Sequence, residues 1–186
     1  MANDADEATD EALMGRVAAR DRAAYAALID RYLSPAAAFA QRMLGHPSEA
    51  EDVAQDAFIK VWIGAATWDE GRGKFRPWFY RLLYNAAIDH LRRRLPPGAD
   101  GLDEVVDPAD CPETTAAAAL RRRQVKGALE QLPERQRAAV VLCYYQGLSN
   151  REAAASLEIG VKALEALLVR ARRSLAETLL PIYEQG

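Results

Sequence analysis

Apolar side chains recur three or four positions apart along most of this chain, which is the spacing of helices that bury one face. In the first half, this pattern predicts helices at 11–20 and 23–44. A further helix is predicted to open at a capping box formed by Ser48 and Glu51. After a loop at 65–74, the last helix of this half contains residues 75–91.

The second half of the chain repeats the pattern after residue 115. Helices are predicted at 116–131, 133–147, 149–157 and 161–180. Gly147 is a left-handed stop, and Ser149 and Glu152 have the spacing of a second capping box. The last two helices are predicted to form a helix-turn-helix, with the small Ala154 at the point where they touch. The second of these helices would enter the major groove of DNA. A helical hairpin without a role in DNA binding is the alternative that this pattern leaves open.

The stretch between the two halves differs from both in composition. Residues 95–115 are rich in proline and glycine, lack helical periodicity, and carry six acidic side chains and no basic one. Such a segment is typical of a linker that its like charges keep extended. Because strand signals are almost absent, we predict an all-α protein. It has two small helical domains, 11–94 and 116–182, joined by an acidic flexible linker at 95–115.

The net charge of −3 is unevenly distributed. Residues 116–186 carry 11 basic and seven acidic side chains, with basic clusters at 121–123 and 170–173. A local basic face matters more for DNA binding than the total charge. The chain has no uninterrupted apolar stretch of about 18 residues, so no membrane span is predicted. The acidic N-terminus does not resemble a secretory signal. We therefore expect a cytoplasmic protein without membrane insertion.

The titratable residues form no catalytic or metal-binding pattern. Cys111 and Cys143 are not at metal-ligand spacing with His46 or His90, and a structural disulfide is not expected in the cytoplasm. The preferred interpretation is a buried helical Cys143 and a Cys111 in a loop. Because no nucleophile–base pair or phosphate-binding loop is present either, we expect no enzyme activity, no metal and no cofactor.

Residues 75–85 interleave aromatic side chains with arginine, and a run of arginines follows at 92–94. Aromatic faces stack on unpaired bases while arginine binds phosphate, so this segment is a candidate for binding single-stranded nucleic acid. The alternative is a structural core, which is favoured for Trp78 because it shares one helical face with Phe79. Asn85, a polar amide in this apolar-aromatic helix, is a candidate for hydrogen bonding to a base edge.

Several motifs, in order along the chain, resemble the extracytoplasmic-function sigma factors, which are subunits of bacterial RNA polymerase. Residues 51–62 (EDVAQDAFIKVW) resemble the polymerase-binding helix of their region 2, and residues 75–94 are similar to the segment that melts the promoter and binds its −10 element. Residues 132–137 (LPERQR), 147–152 and 170–175 resemble region 4, which binds the −35 element. The resemblance implies a region-2 bundle of three or four helices and a region-4 helix-turn-helix.

The resemblance also implies three sets of contacts. Core RNA polymerase would be bound by Asp52, Gln55, Asp56, Phe58, Lys60 and Trp62, with Phe58 or Trp62 either anchoring the contact or serving the core. The −10 element, from which the family's loop captures a flipped base, would be bound by Trp68, Asp69, Arg72, Lys74, Arg76, Asn85, Arg92, Arg93 and Arg94. The −35 element would be bound by Lys162, Glu165, Ala166, Val169, Arg170, Arg172 and Arg173. Three residues depart from the family's pattern: Glu158, where glycine is usual, and Glu165 and Leu167, where basic or polar residues are common.

The function implied by the resemblance is that of a non-enzymatic transcription initiation factor. Its partners would be core RNA polymerase, promoter DNA and an anti-sigma factor. One alternative is a sigma-like decoy that binds an anti-sigma protein without binding DNA. A helix-turn-helix repressor that acts without polymerase leaves residues 51–62 unexplained, and a hydrolase or transferase is a more distant alternative.

Overall fold

The computed structural model describes residues 8–94 and 116–183, and every regular element in these ranges is helical, as predicted. The helices are α1 (Asp10–Ala18), α2 (Arg22–Leu44), α3 (Pro47–Gly64), α4 (Phe75–Arg94), α5 (Ala116–Glu130), α6 (Glu134–Val140), α7 (Asn150–Ser156) and α8 (Val161–Tyr183). Short 3₁₀ turns at Ala65–Thr67 and Glu70–Arg72 separate α3 from α4, and a π-helical turn at Val141–Tyr145 follows α6. The described helices include none that is long and apolar enough to cross a membrane. The predicted linker, with Cys111, lies outside the described residues.

Helices α1 to α4 form the N-terminal bundle, which is built around one face of α4. Phe79 of α4 is fully buried, and its ring lies 5.1 Å from that of Tyr32 in α2 and 5.3 Å from that of Phe58 in α3. Phe75 and Leu83, one turn before and after it, are also fully buried. Ring pairs at such distances contribute about 0.5–1.5 kcal/mol beyond their buried area, so Phe79 links the three long helices.

Helices α5 to α8 form the C-terminal bundle, whose core includes the fully buried Leu142 and Leu164. Helices α7 and α8 make the predicted helix-turn-helix, with Ala154 buried where they meet. The second capping box is confirmed. The Glu152 N–H donates to Ser149 Oγ at 3.3 Å, and the Ser149 N–H donates to the Glu152 carboxylate at 2.9 Å. The hydrogen bonds from Ser149 lower the pKa of Glu152.

The first predicted capping box is wrong. Helix α3 begins at Pro47, one residue before Ser48, and the preceding His46 makes no side-chain capping hydrogen bond. Proline suits the first helical position because the N–H that it lacks would have no partner there. The two predicted helix ends are confirmed. Helix α2 ends at Leu44 as predicted, and its C-cap is a left-handed Gly45 with φ of 83°. Gly147 is left-handed as predicted, with φ of 65°.

Two described residues other than glycine adopt a positive φ, Arg20 at 66° and Glu158 at 54°. Each follows a helix. After α1, the Asp21 N–H donates to the Arg16 carbonyl and the Arg20 N–H to the Val17 carbonyl, and an equivalent pair of hydrogen bonds closes α7. This is the Schellman arrangement, in which glycine is usual because a Cβ costs about 1–2 kcal/mol in left-handed backbone. The side chains of Arg20 and Glu158 make contacts, described below, that offset part of this backbone cost.

We expect Phe79→Ala to lower the free energy of unfolding by about 3–5 kcal/mol, because it opens a cavity between three helices. Urea denaturation followed by circular dichroism measures this loss. The matched control is Trp78→Ala, since Trp78 is only half-buried at the edge of the same core. Its loss should be less than half as large, and equal losses would contradict the central role of Phe79.

Candidate functional site

Exposed residues of α3 form a stripe that combines acidic and apolar members, here called the α3 stripe. Its exposed members, which recur at helical spacing, are Asp52, Gln55, Asp56, Ile59 and Ile63. Ile59 and Ile63, which are 48% and 67% exposed, were not among the predicted contacts, although helical spacing places them on the same face as Asp52 and Asp56. Lys60, a predicted polymerase contact, is half-buried at the edge of the stripe. An exposed apolar pair beside carboxylates is suited to binding another protein.

The two aromatic residues predicted beside this stripe are used differently. Phe58 is only 4% exposed and packs against Phe79, so it serves the core and does not anchor a partner. Trp62 is half-buried, with the Tyr25 ring 4.9 Å away and the Arg20 guanidinium 5.3 Å from its ring centroid. Arg20 also donates to the Trp62 carbonyl at 3.2 Å. The left-handed turn after α1 therefore holds the end of α3 in place.

The loop between α3 and α4 presents some of the residues predicted for the −10 element. Asp69 and Lys74 are exposed, whereas Trp68 is half-buried against the core. Asp69 Oδ1 accepts a hydrogen bond from the Gly71 N–H at 2.9 Å, which fixes the second 3₁₀ turn. The side chain of Arg72, another predicted contact, lies outside the described part of the structure.

Helix α4 presents an exposed polar face after its aromatic segment. Asn85, Arg92 and Arg93 are exposed as the predicted role requires, and the side chain of Arg94 is not among those described. Asn85 and Arg92 lie two turns apart on one face, and Arg81 lies one turn before Asn85 on the same face. Arg81 was not among the predicted residues, although its position one turn before Asn85 indicates that it shares the exposed face.

Two arginines of α4 contact the C-terminal bundle. Arg76, predicted to bind the −10 element, donates to the backbone carbonyl of Gln146. The Nη1 of Arg81 lies 3.0 Å from Oε1 of Glu158. The carboxylate of this ion pair belongs to Glu158, which stands where the family usually has glycine. The ion pair therefore offsets part of the free-energy cost of the left-handed backbone at Glu158. These residues belong to a surface that we call the interdomain contact, which α2 and α4 form with residues 130–158.

Gln146 is at the centre of the interdomain contact. Its Oε1 accepts from the Tyr80 hydroxyl at 2.8 Å, and its Nε2 donates to the Pro35 carbonyl of α2 at 3.3 Å. Burial raises the pKa of Tyr80 to about 12, so its hydroxyl remains a neutral donor at pH values where an exposed tyrosine ionises. Beside it, the fully buried Ser156 donates to the Pro77 carbonyl at 3.1 Å. One side chain of the C-terminal bundle therefore engages both α2 and α4.

Arg137 makes a second polar part of the interdomain contact. Its Nη1 donates to the Met43 carbonyl at the end of α2, at 2.6 Å, and its Nη2 donates to the Leu132 carbonyl at 3.3 Å. Burial lowers the pKa of Arg137. Nearby, the Arg42 guanidinium lies 4.3 Å from the ring centroid of Tyr145. These hydrogen bonds and charges, together with an apolar cluster that is continuous across both bundles, hold the bundles in what we call the closed arrangement.

The exposed face of α8 presents most of the residues predicted for the −35 element. Those that are exposed on one face of the helix are Lys162, Glu165, Ala166, Val169, Arg170 and Arg173. Arg172 is exposed too, but its Nε donates to the Tyr144 hydroxyl at 2.9 Å and its guanidinium lies beside that ring. Arg172 therefore braces α8 against the π-helical turn.

An apolar groove of about 380 Å³ opens on the C-terminal bundle and was not predicted from the sequence. Its lining includes Val125, Leu129, Tyr144 and Leu179. Cys143 lies near it, half-buried in the π-helical turn, and burial raises the pKa of its thiol. No group of three or more histidine, cysteine, aspartate or glutamate residues in the described ranges is arranged to hold a metal ion.

Comparison with known proteins places these surfaces in one family. The models of Sigma-70 region 2 and Sigma-70 region 4 match residues 28–95 and 111–175. The ECF RNA polymerase sigma factor SigW of Bacillus subtilis is 31% identical over 86% of this chain and 90% of its own length. The chain belongs to the extracytoplasmic-function sigma factors of the sigma-70 family. As a sigma factor it is a transcription initiation factor and not an enzyme.

Two solved structures resemble this one across both bundles. CnrH, in complex with the cytosolic domain of CnrY, aligns with a TM-score of 0.70 and 30% identity over 91% of this chain and 96% of CnrH. RpoE of Bartonella quintana, in complex with the anti-sigma factor NepR, aligns with a TM-score of 0.67 and 25% identity over 81% of this chain and 93% of RpoE. In the present chain, the N-terminal bundle contains region 2 and the C-terminal bundle contains region 4.

Glu158→Gly is expected to stabilise the C-terminal bundle while it loosens the closed arrangement. Glycine removes the left-handed cost of about 1 kcal/mol, and loss of the carboxylate removes a partly exposed ion pair worth about 1 kcal/mol or less. Thermal unfolding measures the first effect, and the radius of gyration from small-angle X-ray scattering measures the second. Glu158→Gln is the matched control, since it keeps the strain and should only loosen the contact. An unchanged radius in both variants would contradict the role of this ion pair.

Proposed function

We propose that this sigma factor acts in the cytoplasm, where it brings core RNA polymerase to promoters through three separate surfaces. Polymerase is bound by the α3 stripe, the −10 element by the loop at 65–74 and the exposed face of α4, and the −35 element by α8. The observation that carries this proposal is that each surface is exposed on its own element, at the positions where the family's motifs fall.

The α3 stripe combines two kinds of interaction with polymerase. Asp52 and Asp56 present carboxylates to basic partner residues, which speeds association and fixes orientation. Ile59 and Ile63 add apolar area to the contact, and a fully buried isoleucine contributes about 1.5–3 kcal/mol. The carboxylates therefore select the partner, and the isoleucines stabilise the complex.

The −10 element is bound as a partly single-stranded segment. Capture of a flipped base costs a few kcal/mol of unstacking. Asp69 and Lys74 of the loop and Asn85 of α4 are the described side chains that recover this cost through hydrogen bonds. Arg92 and Arg93 bind phosphates and fix the register of the strand.

The −35 element lies against the N-terminal half of α8, as in other helix-turn-helix proteins. Val169, which is 62% exposed, contacts a thymine methyl, and Lys162 and Arg170 bind phosphates or guanine. Glu165 accepts from the amino group of cytosine and repels phosphate. Because of Glu165, this sigma factor prefers a −35 sequence that differs from the one preferred by relatives with a basic or polar residue at the same position.

The closed arrangement must open before both elements are bound. The two elements lie about 25 base pairs apart, or about 85 Å of B-DNA at about 3.4 Å per pair. A compact chain of this length has a radius of gyration of about 16 Å, too small to bridge them. Residues 95–115 span at most about 70 Å when fully extended, which allows the separation. Opening also releases Arg76 and Arg81 for the −10 strand.

An anti-sigma factor is the expected regulator. RpoE, which resembles this chain over both bundles, is in complex with an anti-sigma factor. A partner that covers the α3 stripe and the apolar groove of region 4 would exclude polymerase. The decoy alternative is not favoured, because α8 keeps an exposed basic face and α7 keeps its capping box.

The test of this function is run-off transcription with core polymerase on genomic fragments, in which we expect discrete start sites. Arg170→Ala should reduce initiation from −35-dependent promoters by about tenfold, because one base or phosphate contact is lost, and leave core binding intact. Arg172→Ala is the comparison variant and should reduce initiation less, since this side chain is held by Tyr144. Absence of any specific transcript, with an anti-sigma partner still bound, would show that the chain is a decoy.

A separate prediction concerns the α3 stripe. Asp56→Lys should weaken the affinity for core polymerase by at least tenfold, since it places like charges opposite each other at the contact. Asp30→Lys, which reverses an exposed carboxylate on α2, is the matched control and should have little effect. Fluorescence anisotropy of the labelled chain titrated with core polymerase measures both affinities, and equal losses would mean that the effect is one of net charge alone.

A further inference from the structure

Helix α1 lies outside the part of the chain that matches Sigma-70 region 2, which begins at residue 28. The family model therefore assigns no role to α1. It is nevertheless firmly packed, with Leu13, Met14 and Val17 fully buried. It contacts α2, the 3₁₀ turn at Ala65–Thr67 and the beginning of α4. The last two are the two ends of the loop that is proposed to capture a base of the −10 element.

The contact with α4 is made by a carboxylate. Glu11 Oε1 accepts a hydrogen bond from the backbone N–H of Phe75 at 3.1 Å. Phe75 is the first residue of α4, where N–H groups have no partner within the helix. A negative charge there is also favoured by the helix dipole. Glu11 thus caps α4 from 64 positions upstream, which no local sequence motif reveals.

The neighbouring residue fixes the position of this cap. Asp10 accepts from the Tyr32 hydroxyl and, at 2.9 Å, from Arg31 of α2. At the other end of the loop, Ala65 is only 1% exposed, and the 3₁₀ turn that it begins contacts α1. Between these ends the backbone passes through Gly73, whose φ of 148° is one that L side chains rarely adopt. A segment with this freedom depends on its ends for a defined position.

We propose that Glu11 is a positioning residue for −10 recognition. It holds the beginning of α4, and with it Lys74 and the end of the loop, in the geometry that receives the flipped base. The inference rests on the proposed function, because it assumes that the loop at 65–74 binds the −10 element. Without the carboxylate, the Phe75 N–H loses its partner and the end of the loop is free to shift, so contacts that recover the cost of base flipping are weakened.

The test uses the full chain with core polymerase and a set of promoters that carry each of the four bases at the flipped −10 position. Relative run-off yields in competition give the base discrimination. Glu11→Ala should reduce this discrimination by about tenfold, since about one base contact is lost. Glu11→Gln keeps an acceptor oxygen and should retain most of the discrimination. Asp30→Ala removes an exposed carboxylate from α2 and should change nothing.

Two further measurements separate positioning from general destabilisation. Affinity for core polymerase and dependence on the −35 element should be unchanged in Glu11→Ala. If these fall together with base discrimination and Glu11→Gln gives no rescue, the role is only structural and the proposal is overturned. Undiminished discrimination in Glu11→Ala, with a discriminating wild type, also overturns it and leaves the proposed function standing. A wild type that initiates but shows no base preference at −10 overturns both the loop assignment and this inference.

Discussion

Burial of one side of α4 against α2 and α3 is the interaction on which the rest of this structure depends. Phe79 lies at its centre, in contact with Tyr32 and Phe58, and it sets the rotation of α4 about its own axis. Since successive residues of a helix point in different directions, fixing this face also fixes the others. One of them presents Asn85 and Arg92 to solvent, and another meets the C-terminal bundle. Core packing therefore decides which polar residues of α4 are exposed.

The contact between the bundles combines an apolar and a polar part. The buried apolar side chains of the two bundles belong to one continuous cluster, and beside them lie hydrogen bonds to Gln146, a half-buried guanidinium and an ion pair. Polar contacts exchange readily with water, so the net contribution of the polar part is modest, at about 0.5–1.5 kcal/mol for a typical hydrogen bond. The polar part can hold the two bundles in register and still release them. That property suits a protein whose two DNA-binding surfaces serve elements far apart along a promoter.

The two predicted capping boxes show how far local sequence patterns reach. Ser149 and Glu152 satisfy each other's backbone as predicted, because nothing nearby competes with them. Ser48 and Glu51 have the same spacing, yet Pro47 takes the first helical position, so that the N-cap of α3 is His46, two residues before Ser48. Exposure was harder to predict than helicity. Ile59 and Ile63 are apolar yet lie on the surface, on the face of α3 opposite the buried Val53 and Val61, and Arg76 fits the pattern of a DNA contact but binds a carbonyl of the other bundle.

The helical fold class, the helix-turn-helix and the family could be predicted from local sequence, because they follow from periodicity and from motifs within a few residues of one another. The sequence also placed the exposed face of α8, since 3.6 residues per turn separates Val169 and Arg170 from the buried Leu168. Only the tertiary structure decided the contacts between residues far apart in the chain. The Glu11 cap on α4, the Arg20 contact with Trp62, and the pairing of Glu158 with Arg81 are all of this kind. Each depends on how helices pack, and a local pattern carries no information about which distant group a side chain will meet.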